Sequence, residues 1–427
     1  MWKGYFYFVF LIVLFIVFFS NHSILSAEEV SSRKSLLEEL LRNNPALISA
    51  RGQLKVAEAR LHQAERYPYN PTLEIGGEAD TIDFKNGENR LEALISQEIE
   101  IGGKRRIRTD IARSELEETR FNYNNQVRLI EAKFEKTFET YLYQQEKVRL
   151  SQEFVDLEET LLDLAGTRLK NGDIAEIDVN LAQVEAEKSR NQLNNATLEL
   201  STIAGQINGL LARRGDKPLA INDRLSQSSF TGLLPDLLRQ ADQNRSDLLE
   251  LRQAQKTARV KIKEEKRKRI PLLTGTLGFI KEQRTFPFLS GAEGIENKSL
   301  LAARLSIPLP LINQNQGGIE QAVAAENVQS SRVNELTLSV QLEVTTLFQQ
   351  LKNSELILQR FNQTILSLSK DNLTRLQEAF REGQMDISTL IAQQDRYVQI
   401  QSTYLETLLN YNLVRIDLLS ASGQSLQ

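Results

Sequence analysis

The 427-residue chain has no cysteine, two histidines, one tryptophan and two methionines. Without cysteine there is no disulfide, no thiol nucleophile, no Cys-based zinc site and no lipid anchor on an N-terminal cysteine. His22 lies in an N-terminal export-signal region, which leaves His62 as the one histidine of the mature chain, on a polar helical stretch that faces solvent. Excess positive charge is also missing. The 52 Lys and Arg stand against 56 Asp and Glu, for a net charge of -4. Nucleic acid is thereby excluded as a partner, because counterion release needs a basic surface. The carboxylates are spread along helical faces, where solvated charge is ordinary. They form no acid/base pair, nucleophile motif or metal-ligand spacing, so the expectation is no enzyme, no catalytic residue, no metal and no cofactor. Beyond residue 19 no apolar run is long enough for a membrane helix.

The N-terminus is the exception. Lys3 precedes an uninterrupted apolar run of 15 residues, Tyr5–Phe19, and Ser20–Ala27 is then small and polar, ending Leu25-Ser26-Ala27. A spanning helix needs about 20 residues, so residues 1–27 are predicted to be a signal peptide cleaved after Ala27. A retained N-terminal anchor is the alternative.

The rest of the chain is one unit written twice. Asn44-Pro45-Ala46-Leu47 is answered by Arg245-Ser246-Asp247-Leu248 at an offset of 201 residues, and Ser96–Ala112 by Ser306–Ala322 at 210. Leu169-Lys170-Asn171-Gly172-Asp173 is answered by Phe380-Arg381-Glu382-Gly383-Gln384. The predicted layout is a first repeat at 28–213, a linker at 214–235, a second repeat at 236–420 and a C-terminal tail at 421–427. Each repeat holds a helix of about 30 residues, two strands and a long helical hairpin turned at a glycine. Leu150, Phe154, Leu157, Leu161 and Leu164 carry the apolar spacing of packed, coiled-coil-like helices. Lys104–Lys170 runs 67 residues without proline, a rod of roughly 100 Å if helical throughout. The fold class is therefore mainly α with a small β part.

Leu91–Ile101 alternates, with Leu91, Ala93, Ile95, Ile99 and Ile101 on one face and Glu92, Glu98 and Glu100 on the other; Leu301–Leu311 does the same, with Arg304 on its polar side. Leu73–Ala79 and Leu273–Phe279 are their weaker partners. Alternating segments of about ten residues suit a membrane barrel, and equally a soluble two-faced sheet. Four strands cannot close in lipid. Three copies supply an even number, about twelve, and the polar segments Thr81–Arg90 and Lys281–Lys298 become external loops. Pro308 and Pro310 mark the end of strand pairing, since proline donates nothing to the ladder.

Ser306-Ile-Pro-Leu-Pro-Leu-Ile-Asn-Gln-Asn-Gln-Gly317 with Ala322, and Glu100-Ile-Gly-Gly-Lys-Arg-Arg-Ile-Arg108, resemble the two strand-to-helix corners of the TolC-type outer-membrane efflux family, most of all its cobalt–zinc–cadmium resistance branch. The resemblance implies a homotrimer with a 12-strand β-barrel in outer-membrane lipid and a periplasmic α-barrel of long antiparallel helices. It also implies a periplasmic membrane-fusion adaptor and an inner-membrane pump of the resistance-nodulation-division (RND) type as partners. Gly102, Gly103, Gly317 and Gly318 sit at the corners, where glycine tolerates the needed dihedrals and close approach; as a phosphate loop, Gly-Gly-Lys lacks the Walker spacing.

By the same resemblance Lys170, Asn171, Gly172 and Asp173, with Arg381, Glu382, Gly383 and Gln384, form the adaptor-facing tips; the plainer reading is two helix-ending turns. The family's aspartate ring finds Ser388 and Ile391 at the matching positions, so the gate candidates shift to Asp178 and Asp386. Glu92, Glu98 and Glu100, partly opposed by Arg304, are the lumen-facing charges and favour cations. The basic run Lys261–Arg269 falls at the membrane–periplasm junction, near lipid phosphates. Cargo stays open between divalent metal cations, organic drugs and secreted polypeptides. A periplasmic stalk protein would explain the rods and leave the paired strands unexplained.

Overall fold

The computed structural model describes residues 32–80, 88–287 and 293–424. The expected signal peptide, most of the loop at 81–90, residues 288–292 of the second loop and the last three residues of the tail lie outside them. Along the chain come α1 (Arg33–Asn43), α2 (Pro45–Glu65), β1 (Thr72–Ala79), β2 (Asn89–Ile99), α3 (Lys104–Asn171) and α4 (Glu176–Leu210). Beyond an irregular stretch lie α5 (Leu234–Asn244), α6 (Ser246–Arg267), β3 (Leu273–Pro287), β4 (Glu293–Ser306), α7 (Gln316–Arg360), α8 (Leu366–Arg381) and α9 (Ile387–Ala421). Among the described residues no helix is long and apolar enough to cross a membrane.

The opening helix of each half, expected as one piece, is two. Asn44 breaks the first: its Oδ1 accepts from the N–H groups of Ala46 (3.0 Å) and Leu47 (3.4 Å), and Pro45 takes the first helical position, where its missing donor costs nothing. Arg245 breaks the second. Both are buried and both reach the carbonyl at the end of a returning long helix: Asn44 Nδ2 to Leu210 O at 2.9 Å, Arg245 Nη1 to Ala421 O at 3.3 Å.

α3 is a single 68-residue helix, about 100 Å long, with no proline to interrupt it. It pairs with α4, as the second rod pairs with α9. The second rod is not uniform: Phe361–Ile365 forms one π-helical turn between α7 and α8, closed by the Leu366 N–H on the Phe361 carbonyl.

The main core lies midway, where Phe134, Phe138 and Tyr141 of α3, Ile207 of α4, Val344 and Leu351 of α7 and Tyr411 of α9 meet. Ile221 and Leu225 of the irregular stretch are buried in it. Side chains satisfy that stretch's carbonyls in place of a ladder: Tyr141 Oη donates to Leu219 O (3.1 Å), Tyr411 Oη to Ser228 O (2.8 Å), and Asn412 Nδ2 to Ser226 O (2.9 Å). Nearby, Arg33 pairs with the buried Glu135 and, at 3.1 Å, with the buried Glu139. A buried charge needs such a partner.

The strands form one antiparallel meander, β1-β2-β3-β4. Its register places all odd-numbered residues on one face, in rows such as Ile75, Ala93, Phe279 and Leu301. The even face carries Glu74, Glu92, Glu98, Glu282 and Arg304, with Leu94 and Ile280 buried at its centre while the odd-face apolar residues stay exposed. That contrast fits a sheet curved toward its even face. Gly278 permits it, because a Cβ there would come within 2.3 Å of Leu94 Cδ2.

Strand bounds differ from expectation. β2 stops at Ile99, so Glu100 and Ile101 are not in it. β4 starts at Glu293 and stops at Ser306, so Ile307–Leu311 is unpaired, as the two prolines require. Much of Lys281–Lys298, expected as loop, is ladder, because β3 and β4 pair out to Pro287 and Glu293.

Candidate functional site

Both rods end in the same turn. Gly172 (φ 80°) and Gly383 (φ 77°) take the left-handed conformation. In the first tip the Gly172 N–H bonds Leu169 O and the Asp173 N–H bonds Arg168 O, each at 2.9 Å; in the second the Gly383 N–H bonds Phe380 O (3.1 Å) and the Gln384 N–H bonds Ala379 O (2.9 Å). This paired pattern closes a helix on glycine. All eight tip residues, Lys170 to Asp173 and Arg381 to Gln384, are exposed.

Just inside the turns the hairpins share a small core of Leu161, Ala165, Ala182, Phe380, Ile387 and Leu390. Ile391 packs against it, whereas Ser388 is exposed and bonds Asp386 (2.9 Å). Sequence periodicity did not disclose that the two tips are fused, since the contact joins residues about two hundred positions apart.

The gate candidates are both helix caps. Asp178 Oδ2 accepts from the Ala175 N–H at 3.1 Å, at the start of α4. Asp386 precedes α9, and its carboxylate accepts from the backbone and hydroxyl of Thr389, each at 2.8 Å, and from Ser388 Oγ. Those donors, the Thr389 N–H foremost, hold the Asp386 carboxyl below its ordinary value.

Farther up the hairpins Glu158 of α3 is 1% exposed, and neither carboxylate oxygen has a hydrogen-bond partner among the described residues. Glu185 and Lys188 of α4 and Asp395 of α9 set its surroundings; Lys188 bridges Glu185 (2.7 Å) and Asp395 (3.7 Å). Burial foremost, with Glu185 and Asp395 adding to it and Lys188 opposing, raises the Glu158 carboxyl to about 7.

At the corners Gly102 and Gly103 both have φ 73°, and a Cβ on Gly102 would come within 2.5 Å of Ile270 Cδ1. In the second corner the left-handed residue is Asn315 (φ 60°), not Gly317 or Gly318, which lie in the first turn of α7. Asparagine tolerates this conformation, and Asn315 Nδ2 gains Glu265 O (3.0 Å) and Glu265 Oε2 (2.7 Å).

Of the strand charges, Glu92 pairs with Arg90 (3.1 Å), Glu98 and Arg304 are exposed on the even face, and Glu100 pairs with Arg108 (2.6 Å) below the strand. Apolar stripes on the helices escaped the sequence reading: Ile177, Leu181 and Val184 on α4, and Leu338 and Leu342 on α7, are exposed at helical spacing.

The model of the outer membrane efflux protein family matches residues 36–213. The chain is similar to the cobalt-zinc-cadmium resistance protein CzcC of Cupriavidus metallidurans, with 24% identity over 369 residues, 86% of this chain and 84% of that protein. Its fold is that of CusC (TM-score 0.74, 16% identity, 92% of each chain) and of the outer-membrane channel OprN (TM-score 0.75, 13% identity, 92% of this chain and 90% of that one). The outer membrane protein VceC of Vibrio cholerae shares it too (TM-score 0.71, 14% identity, 92% and 96%).

Proposed function

We propose that this chain, a TolC-type outer-membrane efflux protein, works as a homotrimer and as the passive exit duct of a tripartite efflux system. An inner-membrane RND-type pump drives it and a periplasmic membrane-fusion adaptor meets its tips. The observation that carries the reading is the meander with apolar odd face and two free edges, β1 and β4. Open edges are not tolerated in hydrocarbon. Three copies edge to edge remove them, giving about twelve strands. The exposed stripes on α4 and α7 support a second copy packed along the rods.

The tip residues are the proposed adaptor contact, and Asp178 and Asp386, one per hairpin, the proposed gate. The cargo is proposed to be divalent heavy-metal cations. Similarity to a cobalt-zinc-cadmium resistance protein supports this, as does the even face, where Glu74, Glu78, Glu92, Glu98, Glu282 and Glu296 outnumber Arg90, Arg284, Lys298 and Arg304. A clean deletion strain tests it on zinc, cobalt, cadmium, copper and silver salts beside dyes, detergents and antibiotics. Loss of metal tolerance alone, restored by the intact gene, supports the metal cargo. Loss of drug tolerance alone overturns it and keeps the channel. No change on either panel favours protein secretion or a redundant duct. A protein that washes off membranes without detergent favours the stalk.

A further inference from the structure

We infer that an anionic phospholipid from the periplasm-facing leaflet binds where the sheet meets the helices, its headgroup on Lys104, Arg106, Lys266 and Arg267 and an acyl chain in the groove over Gly275. The inference rests on the outer-membrane reading above. The four cations come from two runs far apart in sequence, Lys104–Arg106 opening α3 and Lys266–Arg269 at and just past the end of α6, which the close approach of Gly102 and Ile270 brings to one corner. Their neighbours are already engaged. Arg105 donates to Glu65 O, Arg269 to Gln314 O (2.9 Å), Lys268 pairs with Glu265 (2.5 Å) and Arg108 with Glu100 (2.6 Å). Lys104, Arg106, Lys266 and Arg267 form no ion pair among the described residues, and all but the half-buried Lys104 are exposed. Unpaired cations beside an apolar band are a headgroup site, each contributing about 1 kcal/mol toward an anionic surface.

On the odd face of the sheet is a groove of 510 Å³ lined by Ile95, Ile99, Gly275, Leu277, Ala303 and Leu305. Of its polar members Gln97, Thr276 and Arg304, Gln97 spends its amide on Tyr69 O (3.1 Å) and Glu98 O (2.8 Å). Gly275 lies five residues beyond Ile270, at most about 17 Å along the chain. That depth matches one leaflet's half of a hydrocarbon core about 30 Å thick. Leu311 and Ile312, 80% and 92% exposed, flank the same corner and extend the apolar surface.

The test uses the full-length protein purified in detergent and offered vesicles of phosphatidylethanolamine with or without phosphatidylglycerol. Retained phospholipid per protein is then read by mass spectrometry at low and high salt. Wild type should enrich phosphatidylglycerol, and more so at low salt. Lys104→Gln, Arg106→Gln, Lys266→Gln and Arg267→Gln combined should cut that enrichment at least about tenfold. Gly275→Leu fills the groove without strain, since a Cβ there meets nothing nearer than Ile99 Cδ1 at 3.9 Å. It should lower retention of both lipids while keeping the anionic preference. Equal retention of the two lipids by wild type, or an unchanged preference in the fourfold variant, overturns the inference while leaving the channel reading intact. Release from membranes by salt alone overturns both.

Discussion

The guanidinium of Arg168 lies 4.9 Å from the centroid of the Phe380 ring and donates a 3.1 Å hydrogen bond to the Phe380 carbonyl. One residue thus ties the first hairpin to the last turn of the second rod, through a cation–π contact and a charge-assisted hydrogen bond. Arg168→Met keeps the aliphatic stem and removes both. It should cost about 1–2 kcal/mol and expose the tip turns to proteolysis, while Phe380→Ala, which empties the shared core, costs about 3–5 kcal/mol. Limited proteolysis and thermal melts of the two variants check this. A tip equally resistant in Arg168→Met would show that the link does not hold the hairpins together.

Glu158 gives the pH dependence a definite sign. Its folded value, about 7, lies above the ordinary 4.5, so the folded chain holds the proton more tightly than the unfolded one. The stability it contributes is complete below the unfolded value and is lost as pH rises toward 7, a fall of about 3 kcal/mol. Glu158→Gln should flatten that fall and melt higher than wild type above neutrality, with the advantage gone at acid pH. Parallel melting curves across the range would refute it.

Left-handed positions predict effects of opposite sign. Gly172→Ala and Gly383→Ala should each destabilise by about 1 kcal/mol. Ala212, just past α4, already sits at φ 57° where its counterpart past α9, Gly423, has φ 69°. Ala212→Gly should therefore raise the melting midpoint, and a lowered one would contradict the strain assigned to Ala212.

The two sheet faces should answer charge differently. Leu301, 84% exposed on the odd face, faces hydrocarbon in the proposed barrel, so Leu301→Arg should cost about 2–4 kcal/mol and deplete folded protein in the outer membrane. Glu92→Arg, on the even face, should leave that yield near wild type. Quantifying heat-resistant oligomer in membrane fractions compares them, and equal losses would count against the barrel.

The rods were legible because nothing interrupts them: apolar spacing and a proline-free span carried the first to Lys170, one residue short of its observed end. Strand parity was legible from alternation. Strand ends were not, since residues 293–300 are mostly polar on both faces and are held by backbone pairing with β3 alone. Corner chemistry was half legible. The glycine pair marked the first, but in the second a side chain that bonds Glu265 does what a glycine was expected to do. The caps at Asp178 and Asp386 were hidden because a carboxylate near a turn reads the same whether it binds its own backbone or faces a pore.

The π-helical turn has a consequence for angular phase. Phe134 is answered by Val344, 210 residues on, and both are fully buried; Gly172 is answered by Gly383, 211 on. The second rod therefore carries one additional residue between its middle and its tip. In an unbroken α-helix that residue would rotate everything beyond it by about 100° and swing Phe380 from the shared core toward water. Phe361–Ile365 absorbs it in one wide turn, so two hairpins of unequal length end with matching faces inward.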